Sequence, residues 1–206
     1  MKKLAIYLVA LLTAQVAHAQ ILELGVKAGL SGCTLQLEDT KSVSMTTESN
    51  TTYNFGVYGR VKVPVIGFYV QPELMINSRA SNFTVEDAGT KTIFLNKVNY
   101  FEIPVMFGFK ILKIARFYGG PNFQFVTNQT TEIPANNPLF VKSDLKSSTT
   151  GMQFGIGADL ARIRADLKWD ANMGSMRTPF IYNGISPNMT SSMISLQVGF
   201  KLFDLL

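Results

Sequence analysis

The 206-residue chain holds one cysteine, one tryptophan and one histidine. A lone cysteine, Cys33, excludes an internal disulfide. The histidine, His18, falls within a stretch with the marks of a secretory signal: a basic "MKK", an apolar "LAIYLVALLTAQV" and an A-x-A end at Ala19. The expected division is a signal peptide over 1–19 and one mature domain over 20–206. The expected mature domain has no imidazole, which excludes serine–histidine and aspartate–histidine chemistry. A nitrogen–sulfur metal site would have only Cys33 to draw on. No cysteine stands at the cleavage point to carry a lipid anchor. Charge is scarce too, at 16% of residues, and without Lys2 and Lys3 the basic excess falls from five to three. With no Lys/Arg cluster, nothing argues for nucleic acid as a partner. After the signal no apolar run reaches the 18 residues of a helical membrane span.

What is present sits oddly with those absences. The chain is 47% hydrophobic, with 15 phenylalanines and 16 glycines. An apolar chain without a helical span points to the other way of crossing a bilayer, a closed barrel whose strands satisfy one another's backbone groups.

Period-two alternation carries that reading. In "ISLQVGFKLF" the residues Ile194, Leu196, Val198, Phe200 and Leu202 share one face, while Ser195, Gln197, Gly199 and Lys201 share the other. "RADLKWDAN", "QFGIGADL" and "NFGVYGRVKV" repeat the pattern. An amphipathic helix would space its apolar residues three and four apart. Eight strands are expected near 22–35, 53–63, 67–80, 92–110, 116–127, 151–160, 163–173 and 191–203. Short connections (64–66, 112–115, 161–162) then alternate with long ones (36–52, 81–91, 128–150, 174–190), and the long ones are rich in Ser, Thr, Asn and Pro. The expected fold is all-β: an eight-stranded antiparallel up-and-down transmembrane β-barrel. A soluble lipocalin-like carrier would also alternate, but with its apolar face inward. A charge-free apolar face, glycines on the polar face and end-dependent loop lengths favour the membrane.

The same parity places a charge network in the lumen: Lys27, Arg60, Lys62, Glu73, Arg79, Glu102, Asp159, Arg164, Asp166, Lys168, Asp170 and Lys201. Glu73 and Glu102 interrupt the otherwise apolar "GFYVQPELMINS" and "NYFEIPVMFGFK", and are expected to face inward and share a cation. Paired carboxylates suit acid–base catalysis, but a narrow barrel is filled by side chains whose buried charges must pair. The expectation is ion pairing, with no catalytic residue, cofactor or metal. Pro72 faces lipid and removes a ladder donor, so a bulge or a missing bond is expected there. Tyr53, Phe68, Tyr69, Tyr118 and Trp169 are candidates for interfacial girdles. Cys33 reads as a small filler near the first external loop, and Gly155 and Gly157 as relief of crowding inside the barrel.

Taken in order, "GVKAGLS", "GFYVQPELM", "NYFEIPVMFGFK", "FYGGPNFQF", "GIGADL" and "LQVGFKLF" resemble the PorT-like outer-membrane β-barrel family of Bacteroidetes, over roughly 22–203. "YVQPEL" followed by "YFEIP" is the more specific part. The resemblance implies a porin-like barrel in the bacterial outer membrane, in contact with its lipids and inserted by the barrel-assembly machinery. It also implies secretion-system or surface partners, since one branch of the family is associated with export of surface proteases. Phe203 matches the aromatic-ended strand that the assembly machinery reads, although Asp204, Leu205 and Leu206 follow it. The expected function is a structural or binding role with at most a narrow pore. The alternatives are an accessory role in secretion or a small passive channel.

Overall fold

The computed structural model describes residues 22–38, 44–63, 67–87, 90–111, 114–131, 140–142, 148–172, 176–177, 180–182 and 188–205. The expected signal peptide lies outside them.

Among the described residues twelve strands form, in chain order: β1 (Leu22–Glu38), β2 (Ser44–Ser49), β3 (Thr51–Lys62), β4 (Phe68–Asp87), β5 (Thr90–Ile111), β6 (Ala115–Thr131), β7 (Phe140–Lys142), β8 (Ser148–Leu160), β9 (Ile163–Asn172), β10 (Met176–Arg177), β11 (Phe180–Tyr182) and β12 (Asn188–Leu205). Eight of them make the wall in the order β1-β3-β4-β5-β6-β8-β9-β12, and β12 pairs back onto β1 to close it. Every pairing is antiparallel between neighbours. This is the eight-stranded barrel that the alternation predicts.

The strands run further outward than the apolar pattern suggests. β4 and β5 have 20 and 22 residues, about twice the 9–11 that cross a bilayer. On β4 the exposed apolar residues end at Ile76, and Ser78 and Ala80 follow on the same face. The rest of the β4–β5 hairpin therefore projects beyond the apolar band on the long-connection side. β2 lines up along its outer part, Ser44–Ser49 against Ser81–Glu86, and Asn50 N–H reaches Ala80 carbonyl at 3.3 Å where the line passes into β3. Much of the expected 36–52 and 81–91 loops is thus strand. Outside the bilayer a strand needs no apolar face, so "SMTTES" and "SNFTVED" read as loop. β7 and β11 form a separate two-stranded sheet between the last two long connections.

Three prolines punctuate the wall. Pro72, Pro104 and Pro121 each pair with the following strand, opposite Val105, Asn122 and Met152. Each leaves two positions unpaired toward the preceding strand: 59–60 against 71–72, 73–74 against 103–104, and 105–106 against 120–121. The register is the same on both sides of every gap, so the expected bulge at Pro72 is absent and the expected loss of pairing is what occurs. An imino nitrogen cannot donate, but a missing donor does not insert a residue. Bulges do occur where β12 meets β1, with Leu202 extra, and where β6 meets β5, with Thr127 extra. There Thr127 Oγ1 donates to Asn99 carbonyl at 3.0 Å.

The sides of the wall settle the soluble alternative. Leu196, Val198, Ile194, Ile156, Ile76 and Phe55 are exposed on the outside, while Lys27, Arg60, Glu73, Arg116, Asp166 and Lys168 are buried within. A lipocalin-like carrier requires the reverse.

Candidate functional site: a charge-filled lumen

Every second residue of each wall strand points inward, and the sequence supplies those positions with charge, amide and tyrosine. Buried cations are Lys27, Arg60, Arg79, Arg116, Arg164 and Lys168; buried carboxylates are Glu23, Glu73, Glu102, Asp166 and Asp170. Asp159 joins them with a side chain 8% exposed. Charges in so small a space persist only when paired or hydrogen-bonded.

Glu73 on β4 sits at the centre. Lys27 Nζ of β1 lies 2.7 Å from its Oε1 and Lys168 Nζ of β9 lies 3.2 Å from its Oε2. Gln71 Nε2 donates to Oε1 at 2.5 Å. β4 and β9 are four strands apart in a ring of eight, so the Lys168–Glu73 pair runs from wall to opposite wall. Arg60 of β3 and Asp159 of β8 do the same at 3.4 Å. Tyr100 of β5 and Met193 of β12, again opposite, meet at 3.7 Å between hydroxyl and sulfur. Among the described residues these three contacts cross the full lumen at different heights.

Toward the short-turn end the network thickens. Asp159 takes Arg116 Nε at 2.7 Å, Lys110 at 2.8 Å and Arg164 at 3.5 Å. Asp166 takes Arg116 at 2.8 Å, Lys27 at 3.5 Å and the Tyr118 hydroxyl at 2.9 Å. Arg164 also pairs with Glu23. At the rim Lys62 reaches Glu23 at 3.0 Å and Asp204 at 3.5 Å, and Lys201 reaches Asp204 at 2.7 Å. Lys62 and Lys201 are therefore rim residues, partly exposed, rather than lumen ones.

The outer half differs. Glu102 accepts from Gln124 Nε2 at 2.7 Å and Gln153 Nε2 at 3.3 Å, and among the described residues it forms no ion pair with a cation. The expected sharing of one cation with Glu73 does not occur. Glu102 lies opposite Met75, offset outward from Glu73, and both lysines stay on Glu73. Arg79 lies over the Tyr100 ring at 4.7 Å. Asp170 stands opposite Gln153. Ser31, Asn54, Ser195 and Gln197 link β1, β3 and β12 by hydrogen bonds of 2.5–3.1 Å.

Two girdle candidates belong elsewhere. Tyr69 and Tyr118 are buried in the lumen, around Met106. Tyr69 has the parity of Gln71 and Glu73 on β4, and Tyr118 that of Arg116 and Asn122 on β6, not that of the lipid face. Tyr53, at 78% exposure, and Trp169, at 50%, do face outward, and Phe68 is half-buried. Tyr69 and Tyr118 both lie opposite Gly108, where a Cβ would run into the Tyr69 ring. Gly155 is likewise covered by Tyr118. A ring on one strand fills the space a glycine leaves on the next. Cys33 is buried on the lumen face of β1, five residues short of the strand end. Parity reasoning reached the twelve named charges but passed over Glu23, Lys110, Arg116 and Asp204. Arg116 and Glu23 sit at strand starts, where little alternation precedes them to set the phase.

A family model described as "Outer membrane protein beta-barrel domain" matches residues 14–176. No curated protein sequence matches the chain. Among solved structures, Neisserial surface protein A is similar at a TM-score of 0.51 and 10% identity, over 87% of this chain and 97% of that one. The attachment invasion locus protein Ail of Yersinia pestis gives 0.48 at 10% identity, over 88% and 99%. AlkL gives 0.44 at 12% identity, over 89% and 92%. At 10% identity the likeness to Neisserial surface protein A is one of fold.

Proposed function

From its place in the outer membrane protein beta-barrel domain family, to which this chain belongs, we propose that it acts as a non-enzymatic binding barrel of the bacterial outer membrane, closed to solute flow. The observation that carries this is the Lys168–Glu73 pair, which spans the lumen between opposite strands. Eight strands leave room for little beyond side chains, and here the side chains meet. What the barrel offers a partner is its outer side: the projecting β4–β5 hairpin with β2 along it, and the β7–β11 sheet. Lipid surrounds the apolar band, and barrel-assembly machinery serves as the partner during insertion.

Planar-bilayer recording tests closure. Purified protein should add no steady conductance to a bare membrane; a reproducible ohmic step would establish a channel instead. The PorT-like motifs "YVQPELM" and "YFEIPVM" favour a finer reading, an accessory to export of surface proteins. In a deletion strain that reading predicts loss of exported proteins from the cell surface, and unchanged export removes it.

A further inference from the structure

The outer half of the lumen is short of cations, whereas the inner half is rich in them. Glu102 and Asp170 are both buried, and among the described residues neither forms an ion pair with a cation. Asp170 stands opposite Gln153, while Lys168 is drawn to Glu73 and Arg79 lies over the Tyr100 ring. Two carboxylates therefore share this part of the lumen with one guanidinium, which is stacked on a ring.

Among the described residues three oxygens here have no hydrogen-bond donor, Asp170 Oδ1, Gln153 Oε1 and Asn122 Oδ1, and the open donors Arg79 Nε and Asn77 Nδ2 do not bond to them. The three acceptor residues are 3%, 1% and 1% exposed. The register gathers them. Gln153 and Asp170 are direct cross-strand partners. Gln153 Nε2 reaches Glu102 at 3.3 Å. Asn122 pairs with Pro104 on one side and Gly151 on the other, which makes it the diagonal neighbour of Glu102 and of Gln153. Four adjacent strands, β5, β6, β8 and β9, thus each contribute one oxygen-bearing side chain to the same part of the lumen wall. Open acceptors in a buried place are costly unless something positive meets them.

We propose that Glu102, Asp170, Gln153 and Asn122 form a binding site for a hard divalent cation of the calcium class. The donor set is all oxygen, which selects against zinc and copper. Two carboxylates with two amide oxygens, spread over four strands, match the irregular, flexible shell that calcium accepts; magnesium demands a near-ideal octahedron and keeps its waters. The cation offsets the local negative excess and ties four wall strands together beneath the outer connections.

The test uses full-length mature protein refolded into a zwitterionic detergent free of lipopolysaccharide, with calcium chloride as the probe. Calorimetric titration should show saturable binding near one ion per chain, and calcium should raise the thermal unfolding midpoint relative to a chelator. Asp170→Asn and Glu102→Gln should each weaken binding by about tenfold or more, as loss of ligand charge tunes such sites. Asn122→Asp, which adds a charge and keeps an oxygen ligand at the position, should tighten it. Absence of saturable binding to the unaltered protein overturns the proposal. So does binding that Asp170→Asn and Asn122→Asp both leave unchanged. If Asp170→Asn changes the unfolding midpoint by the same amount with and without calcium, the cation does not act through Asp170 and the proposal is overturned in favour of a proton shared by the two carboxylates.

Discussion

Glu73 holds two ammonium groups that approach from β1 and from the opposite wall, and its side chain is fully buried. Replacing it with leucine keeps the bulk and strands both lysines in a low-dielectric space. Glu73→Leu should cost roughly 3–5 kcal/mol, as breaking a buried pair does, read as a lower urea midpoint in detergent or lipid. An unchanged midpoint would show that the lysines find other partners. Gly108 makes a second case. It lies opposite both Tyr69 and Tyr118, and an added methyl would meet the Tyr69 ring. Gly108→Ala should destabilise by about 1–3 kcal/mol through overpacking. Because the two residues touch, Tyr69→Leu in the same chain should recover part of that loss, a coupling absent between distant sites.

At the level of the strand, the proline row makes the wall between β3 and β6 less completely paired than the rest. Each proline forgoes bonding to the strand before it and keeps the strand after it. Pro72→Val restores a donor toward β3. Slower amide hydrogen exchange at 59–60 and 71–72 is the expected outcome, with no change in register. Exchange as fast as before would mean that Gly59 and Arg60 on the facing strand, rather than Pro72, cause the gap. The lipid face gives a sharper contrast. Leu196 is 61% exposed and belongs to the apolar band. Leu196→Arg should cost about 2–4 kcal/mol if the position lies near the bilayer midplane, and less near an interface, measured by folding into vesicles of defined thickness.

For the whole molecule, closure of β12 onto β1 leaves no edge within the membrane-spanning part. A closed ladder resists detergent until heated. The folded protein should therefore run at a different gel mobility before and after boiling, and should fractionate with the outer membrane. Recovery of folded protein as a free periplasmic species would contradict the localisation. The ion pairs across the lumen strengthen the same expectation, since the barrel cannot flatten without breaking Lys168–Glu73 and Arg60–Asp159.

Strand number, the outward turn of apolar residues and the inward turn of charge were legible from alternation alone, because side chains on a strand must alternate and the bilayer penalises charge on one face only. "ISLQVGFKLF" carries both facts in ten residues. The lengths of β4 and β5 were not legible, since beyond the apolar band a polar strand and a polar loop use the same residues. Parity put Glu73 and Glu102 on one face but could not say at what height. Only the stagger of neighbouring strands gave Glu73 both lysines and left Glu102 among amides. Alternation is a property of one strand, whereas partnership belongs to the closed ring, which fixes the residues that meet across eight strands.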